Sequence, residues 1–520
     1  MDQFAKLALE EYNSADKTVR RAGYGKPFWN VNSSQFVFVP QLQFPDIPGA
    51  RAYRYTATDS TGRIHSFEAA TPIEPLTPIW GDIAVGFVTL KVEALHLRGG
   101  DPILSGMRTF FKTAPFPGRA DLPARARSYR ACATLAFEYL FRDPTTQYWL
   151  THGVPDPTYY NNVYPSKMIS RIIRAMLAYA RIKPAYAEDA VRLAKNAADY
   201  LLSITYPDGS PLAGLPPTYS FKGLDRDIVN REVPAAEGRE FTLMTIYPAF
   251  VGSAYLELEA ATGDKKYFEA TARIAEYYAA SVLPNGSWYL HLDAKTGERL
   301  GDNCCQHFSI LTFLKAYEKR TGEEKWGEMA ERYYAYMAAR CLDSYNWEGQ
   351  FEDVAPTANY ENLTHFNAKN YLEYITAHCE RTEEMLNTAL DICRFVEDQF
   401  VVWGKHAPSA YRDTSNWLYP VGLEQYSWYQ PINGSTTSAM RTFIAAHRLT
   451  GDDLYLEKAR ALADTIARNQ NEESGALPTY LRNTDCAKTL EDFWLNCHTG
   501  TAKDMMRIAK YEAELQGKTL

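Results

Sequence analysis

The sequence predicts a mainly α-helical protein in which six helical hairpins close into a ring behind a small N-terminal β-domain. Three observations lead there. The hydrophobic period changes from two to 3.6 after the first hundred or so residues, a segment of about thirty residues recurs along the helical part, and amphipathic helices alternate with more uniformly apolar ones.

Residues 1–29, "MDQFAKLALEEYNSADKTVRRAG" and the six after it, read as a short amphipathic helix and an arm. Residues 30–105 read as a small β-sandwich-like domain. "ARAYRYTATDSTGRIHSFEA" alternates Tyr53, Tyr55 and Ala57 with Arg54, Thr56 and Thr58, and "GDIAVGFVTLKVEAL" resumes the alternation after a proline-rich connector. Residues 106–520 form the helical domain, entered through "KTAPFPGRADLPA". Its repeat is clearest in "ATGDKKYFEATARIAEYYAASVLPNGSWY", "RTGEEKWGEMAERYYAYMAARCLDSYNWEGQF" and "LTGDDLYLEKARALADTIARNQNEESGALPTY". Each copy begins with a Thr-Gly type helix stop and an acidic first turn, continues as an amphipathic helix, and ends in a turn rich in Gly, Asn and Asp. Amphipathic helices are expected near residues 126, 185, 264, 324, 381 and 452, and apolar ones near 165, 241, 304, 365, 433 and 495. Six outer and six inner helices make a closed ring. An open solenoid would need polar end caps and would leave the long connecting loops unexplained.

"YPAFVGSAYLELEAATGDKKYFEATARIAEYY" and "TSAMRTFIAAHRLTGDDLYLEKARALADTIARNQ" are the stretches in which the chain resembles the six-hairpin, (α/α)6-toroid glycosidase superfamily, over about residues 125 to 515. The resemblance implies relatives among glycosidases, unsaturated glucuronyl hydrolases, uronate lyases and sugar epimerases. Of these, a β-glucuronidase-like glycoside hydrolase is the expected activity.

Just before each inner helix stands a polar and aromatic cluster: "PTYYNNVYPSK", "AAEGREFT", "GDNCCQH", "NYENLTH", "LEQYSWYQPINGS" and "EDFWLNCHTG". Any one of them is explained by helix capping. Six at equivalent places predict a pocket at one mouth of the ring, where helix N-termini add free N–H donors and partial positive charge. Hydrolysis of a glycosidic bond uses two carboxyl groups, one protonated and one ionised. Glu361 and Glu424 are the expected pair because Asn, His, Gln and Tyr side chains surround each. His365, one turn after Glu361, and Asp492 complete the catalytic candidates. Arg239, a guanidinium suited to a uronate carboxylate, is the expected specificity residue, with Lys167 as a second cation. Tyr159, Tyr160, Trp428 and Trp494 supply sugar-stacking rings. Asn162, Glu237, His307, Asn362, Gln425, Tyr426 and His498 supply the remaining polar contacts.

The 55 basic and 63 acidic residues give a formal charge of -8 without a basic cluster, which excludes nucleic acid as an expected partner. No window reaches about 18 consecutive apolar residues, so no membrane span is expected. The chain as it stands reads as cytoplasmic, and as periplasmic if a signal peptide preceded it. Eight scattered cysteines form no disulfide framework. Cys304 and Cys305 are adjacent and far in the chain from Cys497, so neither a metal nor a cofactor is expected. The predicted partner is an oligosaccharide carrying a uronate. Homodimerisation is compatible with the sequence and not fixed by it. The expected function is hydrolytic release of a glucuronic-type acidic sugar by a carboxylate pair. The alternatives are a uronate lyase or epimerase using Tyr426, Tyr360 and His365, and a non-catalytic glycan-binding protein without paired carboxyls.

Overall fold

The computed structural model describes residues 2–14, 33–96, 100–406, 414–482 and 493–518. Helix α1 (Gln3–Asn13) begins at Asp2, whose carboxylate accepts from the Phe4 amide at 2.7 Å. Strands β1 (Gln35–Phe36), β2 (Ala50–Thr58), β3 (Ile64–Ala69), β4 (Gly86–His96) and β5 (Ile103–Lys112) make one sheet in the order β1-β5-β4-β2-β3. It is antiparallel except for the β1–β5 pair. The period-two alternation was legible because Tyr53, Tyr55 and Ala57 point to the buried face while their neighbours do not. Two expectations are corrected. The domain extends past residue 105, since β5 ends at Lys112, and among the described residues it is a single sheet rather than a sandwich. On its buried face Trp80, at the end of the short helix Thr77–Trp80, packs on Phe110, and Phe44 packs on Tyr55.

Among the described residues the ring contains twelve helices: α2 (Tyr129–Arg142), α3 (Pro165–Ile182), α4 (Ala187–Ser203), α5 (Tyr247–Thr262), α6 (Lys265–Ser281), α7 (Phe308–Thr321), α8 (Glu324–Met337), α9 (His365–His378), α10 (Glu383–Phe400), α11 (Asn433–Thr450), α12 (Asp453–Asn469) and α13 (Leu495–Leu515). The inner helices α3, α5, α7, α9, α11 and α13 each pack on the next, and α13 returns to α3. Each inner helix pairs with the outer helix that follows it, except that α13 pairs with α2. The two ends of the helical domain therefore close the circle on each other, which a solenoid cannot do. No described helix is long and apolar enough to cross a membrane.

A Thr-Gly followed by Asp or Glu is the hinge of three of the hairpins. Gly263, Gly322 and Gly451 all have φ near 70–75°, the left-handed conformation that ends a helix and suits glycine. Asp264 and Asp452 then cap the next helix through the amides of Lys266 and Leu454. Many of the tyrosines are buried in the core, and some of their hydroxyls tie loops down. Tyr278, packed on Trp288 at 5.2 Å, donates to the Thr245 carbonyl, and Tyr200 donates to that of Lys222 at 2.7 Å.

The β-domain docks on the C-terminal end of α10. Asp398 accepts from the Val37 and Phe38 amides at 2.7 and 2.8 Å, and Lys458 pairs with Glu397 at 2.8 Å. Gln399 accepts from Tyr426 at 2.5 Å, which extends this buried polar seam into the loop carrying Glu424.

Candidate active site

A cavity of about 1050 Å³ runs along the axis of the ring, and the first turns of all six inner helices contribute to its wall. Lys167, Phe250, Ser309, Phe366, Gly434 and Cys497 come one from each. The expected meeting of inner-helix N-termini at one mouth is therefore present. Four of the six clusters reach the cavity: Tyr160 and Lys167 from the first, His307 from the third, Glu424, Gln425 and Trp428 from the fifth, and Trp494 from the sixth.

Three carboxyls gather here. Glu352 and Asp353 enter on the loop before α9, and Glu424 on the loop before α11. Glu352 is fully buried and held by four donors. Lys167 and Tyr247 bind its carboxylate, while Tyr219 at 2.6 Å and Arg239 at 2.8 Å donate to its carbonyl. Burial alone would raise its pKa, but Lys167 and Tyr247 reverse this and hold it below the usual glutamate range. It stays ionised. Its neighbour Asp353 is open to the cavity but deep inside the protein, so burial and then the Glu352 charge raise its pKa, against relief from Lys167 and Arg239. Glu424 is only 9% exposed. Burial, followed by the Asp353 charge, raises it from 4.5 to about 8, against the opposing charge of Lys167. Two carboxyls in unlike surroundings thus face an ionised third, an arrangement in which one holds a proton at neutral pH while its neighbour gives one up.

The Glu424 loop is braced from behind. Asn362 donates to Gln425 Oε1 at 2.9 Å and accepts from the Ser427 amide at 3.0 Å, and the Glu424 amide donates to Gln430 at 3.1 Å. Gly349 permits this close packing: a Cβ there would meet Gln425 Oε1 at 2.9 Å and Asn362 Nδ2 at 3.0 Å.

Several sequence expectations are corrected by placement. Glu361 is exposed and does not line the cavity, so it does not face Glu424 across it. "NYENLTH" is instead a cap and a brace: Thr364 caps α9, and Asn359 accepts from Asn346 at 3.1 Å. His365 is fully buried behind the wall, between Phe366 and Phe400, and burial lowers its pKa to about 3. Arg239 does not line the cavity; it positions the Glu352 loop through a backbone carbonyl. Tyr159 binds the Leu495 amide at 2.9 Å and the Phe493 carbonyl at 3.2 Å. His498 is fixed between the Leu477 amide and the Ala136 carbonyl. Asn162 is tied to Asp156, Tyr426 to Gln399, and Glu237 is exposed, so these also stand outside the cavity wall. Asp492 lies outside the described residues. His307 does line the cavity, but it caps α7, and burial with Arg171 and Lys369 nearby lowers its pKa to about 3. Among the described residues no group of three His, Cys, Asp or Glu side chains is placed to hold a metal.

Sequence reasoning missed Glu352 and Asp353. They follow directly on "SYNWEGQF", the end of a repeat copy, and the available signal was two adjacent acids in a turn leading to an inner helix.

No protein-family profile matches the chain, and no curated protein matches it by sequence. Solved structures match by fold. A D-mannose isomerase is 11% identical, with 74% of this chain and 99% of that one aligned and a TM-score of 0.50. A cellobiose 2-epimerase from Spirochaeta thermophila is 14% identical over 73% of this chain and 98% of its own, at a TM-score of 0.48. An unsaturated glucuronyl hydrolase specific for heparin is 10% identical over 74% and 97%, at 0.45. The fold of the helical domain is the (α/α)6 toroid.

Proposed function

We propose that the chain is a sugar-processing enzyme, a glycoside hydrolase that releases a glucuronic-type acidic sugar from the end of an oligosaccharide. The observation that carries this reading is the carboxyl set at the cavity mouth: Glu424 raised to about 8 beside Asp353 and the ionised Glu352. Glu424 is the general acid. It is protonated at neutral pH and lines the cavity, so it can deliver a proton to the leaving oxygen as the glycosidic bond breaks. Asp353 is the base or nucleophile. It reaches cavity water and has two cations, Lys167 and Arg239, favouring its ionised form. Glu352 is held by Lys167 and Tyr247, and its fixed charge opposes ionisation of both neighbours. Trp428, 45% exposed, with Tyr160 and Trp494, offers the apolar faces on which pyranose rings stack.

The solved structures similar in fold include proteins described as sugar epimerases, isomerases and glycosidases, which agrees with a sugar substrate. The lyase or epimerase alternative gave more weight to Tyr426, Tyr360 and His365 than to a carboxylate pair, and none of the three lines the cavity. A binding protein has no need of three clustered carboxyls.

Incubation of the purified protein with uronate-terminated oligosaccharides tests the reading. Release of reducing uronate without the ultraviolet absorbance of an unsaturated uronate is expected, and Glu424→Gln abolishes it. An unsaturated product, or turnover unchanged in Glu424→Gln, would refute it.

A further inference from the structure

One helical turn below the carboxyls the cavity wall changes sign. On α3, Lys167 is followed at helical spacing by Arg171 and Arg174, and on α13, Gly500 is followed by Lys503 and Arg507. Lys369 on α9 and Arg441 on α11 face the same space. The nearby carboxylates do not balance these charges. Glu373 is shared by Arg441 at 2.8 Å, Arg507 at 3.1 Å and Lys369 at a long 3.8 Å. Asp504 meets Arg441 at 3.3 Å, and Glu257 is taken by Arg174 at 2.6 Å.

That distribution leaves Arg171 and Lys503 without an ion pair among the described residues, and the Arg171 Nε is buried with no acceptor. Lys369 is only 4% exposed and has the weakest share of Glu373. Buried cations are normally matched by carboxylates, because taking an unmatched charge out of water costs several kcal/mol. Here the mismatch faces a cavity.

We infer that this deep half of the cavity is an oxyanion subsite, in which Arg171, Lys369 and Lys503 take the carboxylate or sulfate group of the sugar whose scissile bond lies at Asp353 and Glu424. The inference rests on the reading of the cavity as a sugar site. Lys167 and Arg171 are four residues apart on one helix, a rise of about 6 Å, so a pyranose ring spans from the carboxyls to the floor. It also moves sugar-acid recognition from Arg239, which the fold uses as a brace, to three cations with unfilled capacity.

Two lysines support this. Burial and then Arg441 pull Lys369 down to about 7, against Glu373 and Asp504 and with Arg507 adding to the effect. Burial and then Arg174 pull Lys503 down to about 7, against Glu257 and Asp504 and with Arg171 adding to it. A bound oxyanion would restore their protons, so affinity for it should fall as pH rises above neutrality.

The test is calorimetric binding of D-glucuronate, D-glucose and inorganic sulfate to the full chain, with Arg171→Gln and Lys503→Met as variants. Glucuronate should bind at least about tenfold tighter than glucose. Each substitution should erase most of that preference while glucose binding stays within about twofold. Sulfate should compete with glucuronate. Melting temperatures should not fall, since each variant removes a half-buried charge that has no ion pair among the described residues. Equal binding of the two sugars, a preference that survives both substitutions, or no binding of any probe would overturn the inference. Sulfate binding without a glucuronate preference would assign the floor to a free inorganic ion and overturn it as a sugar subsite. Hydrolysis of neutral glycosides by an enzyme indifferent to glucuronate would leave the glycosidase reading standing and sink only the floor. A glucuronate preference without any hydrolysis would do the reverse.

Discussion

Replacing Glu424 by Gln should stabilise the protein while it removes activity, and the gain should depend on pH. The Glu424 carboxyl is raised from 4.5 to about 8 by burial and by the Asp353 charge. At about 1.4 kcal/mol per pH unit, that gap corresponds to roughly 5 kcal/mol of penalty on the ionised folded form. Between those two values the folded protein holds a proton that the unfolded chain has lost, so stability falls as pH rises through this window. Near pH 5 most of the penalty is avoided because the folded group is neutral, leaving about 1 kcal/mol; by pH 9 the whole of it is present. Glutamine keeps the shape and carries no proton to lose. Urea denaturation of both proteins at the two pH values isolates the Glu424 charge together with its coupling to Asp353, since titrations remote from Glu424 are shared. The variant should gain about 4 kcal/mol over wild type on going from pH 5 to pH 9. A difference that changes by less than about 0.5 kcal/mol would refute the claim that Glu424 is a desolvated carboxyl beside like charge.

Asp353→Asn should lower kcat on the order of a thousandfold with an unchanged melting temperature, and a loss under about tenfold would remove Asp353 from the chemistry. Lys167→Met leaves the fully buried Glu352 carboxylate without its cation, so it should cost about 3–5 kcal/mol in denaturant titrations. Adding Glu352→Gln to that variant should recover most of the loss; no recovery would mean that Lys167 matters for packing rather than charge. Glu361→Gln should leave kcat within about twofold and stability within about 0.5 kcal/mol, because the side chain is exposed and off the cavity. A hundredfold loss of turnover there would reinstate the pairing that the sequence pointed to.

The ring was legible because its signals are local. The 3.6 period places each helix, a Thr-Gly hinge followed by an acid marks three of the hairpins, and the inner helices start within a few residues of their expected positions at 165, 365, 433 and 495. The sheet was legible to the same depth. Alternation tells that one face is buried, but not whether a second sheet or, as here, a short helix ending at Trp80 and the chain carrying Phe44 pack on it. The site was legible by place and only partly by residue. Glu361 and Glu424 look alike in sequence, each among amides and aromatics, and their difference lies in which way two loops turn. Asn362 decides that, since its bonds to Gln425 and Ser427 pull the Glu424 loop inward while its own neighbour Glu361 is left outside. Arg239 shows the same limit. Its charge suits a carboxylate, but the fold spends it on the Glu352 carbonyl. Glu352 and Asp353 carry no period and no cap signal, and only the closure of the ring brings them to Glu424.

Under the proposed function Glu424 and Asp353 hydrolyse a glycosidic bond in the axial cavity. The most direct measurement is turnover of a uronate-terminated oligosaccharide in water enriched in heavy oxygen, with mass spectrometry of both products. The account predicts that the label enters the released uronate at its anomeric carbon and that Glu424→Gln and Asp353→Asn yield no labelled product. Release of an unlabelled unsaturated sugar, an epimerised substrate with its glycosidic bond intact, or full labelling by both variants would contradict it.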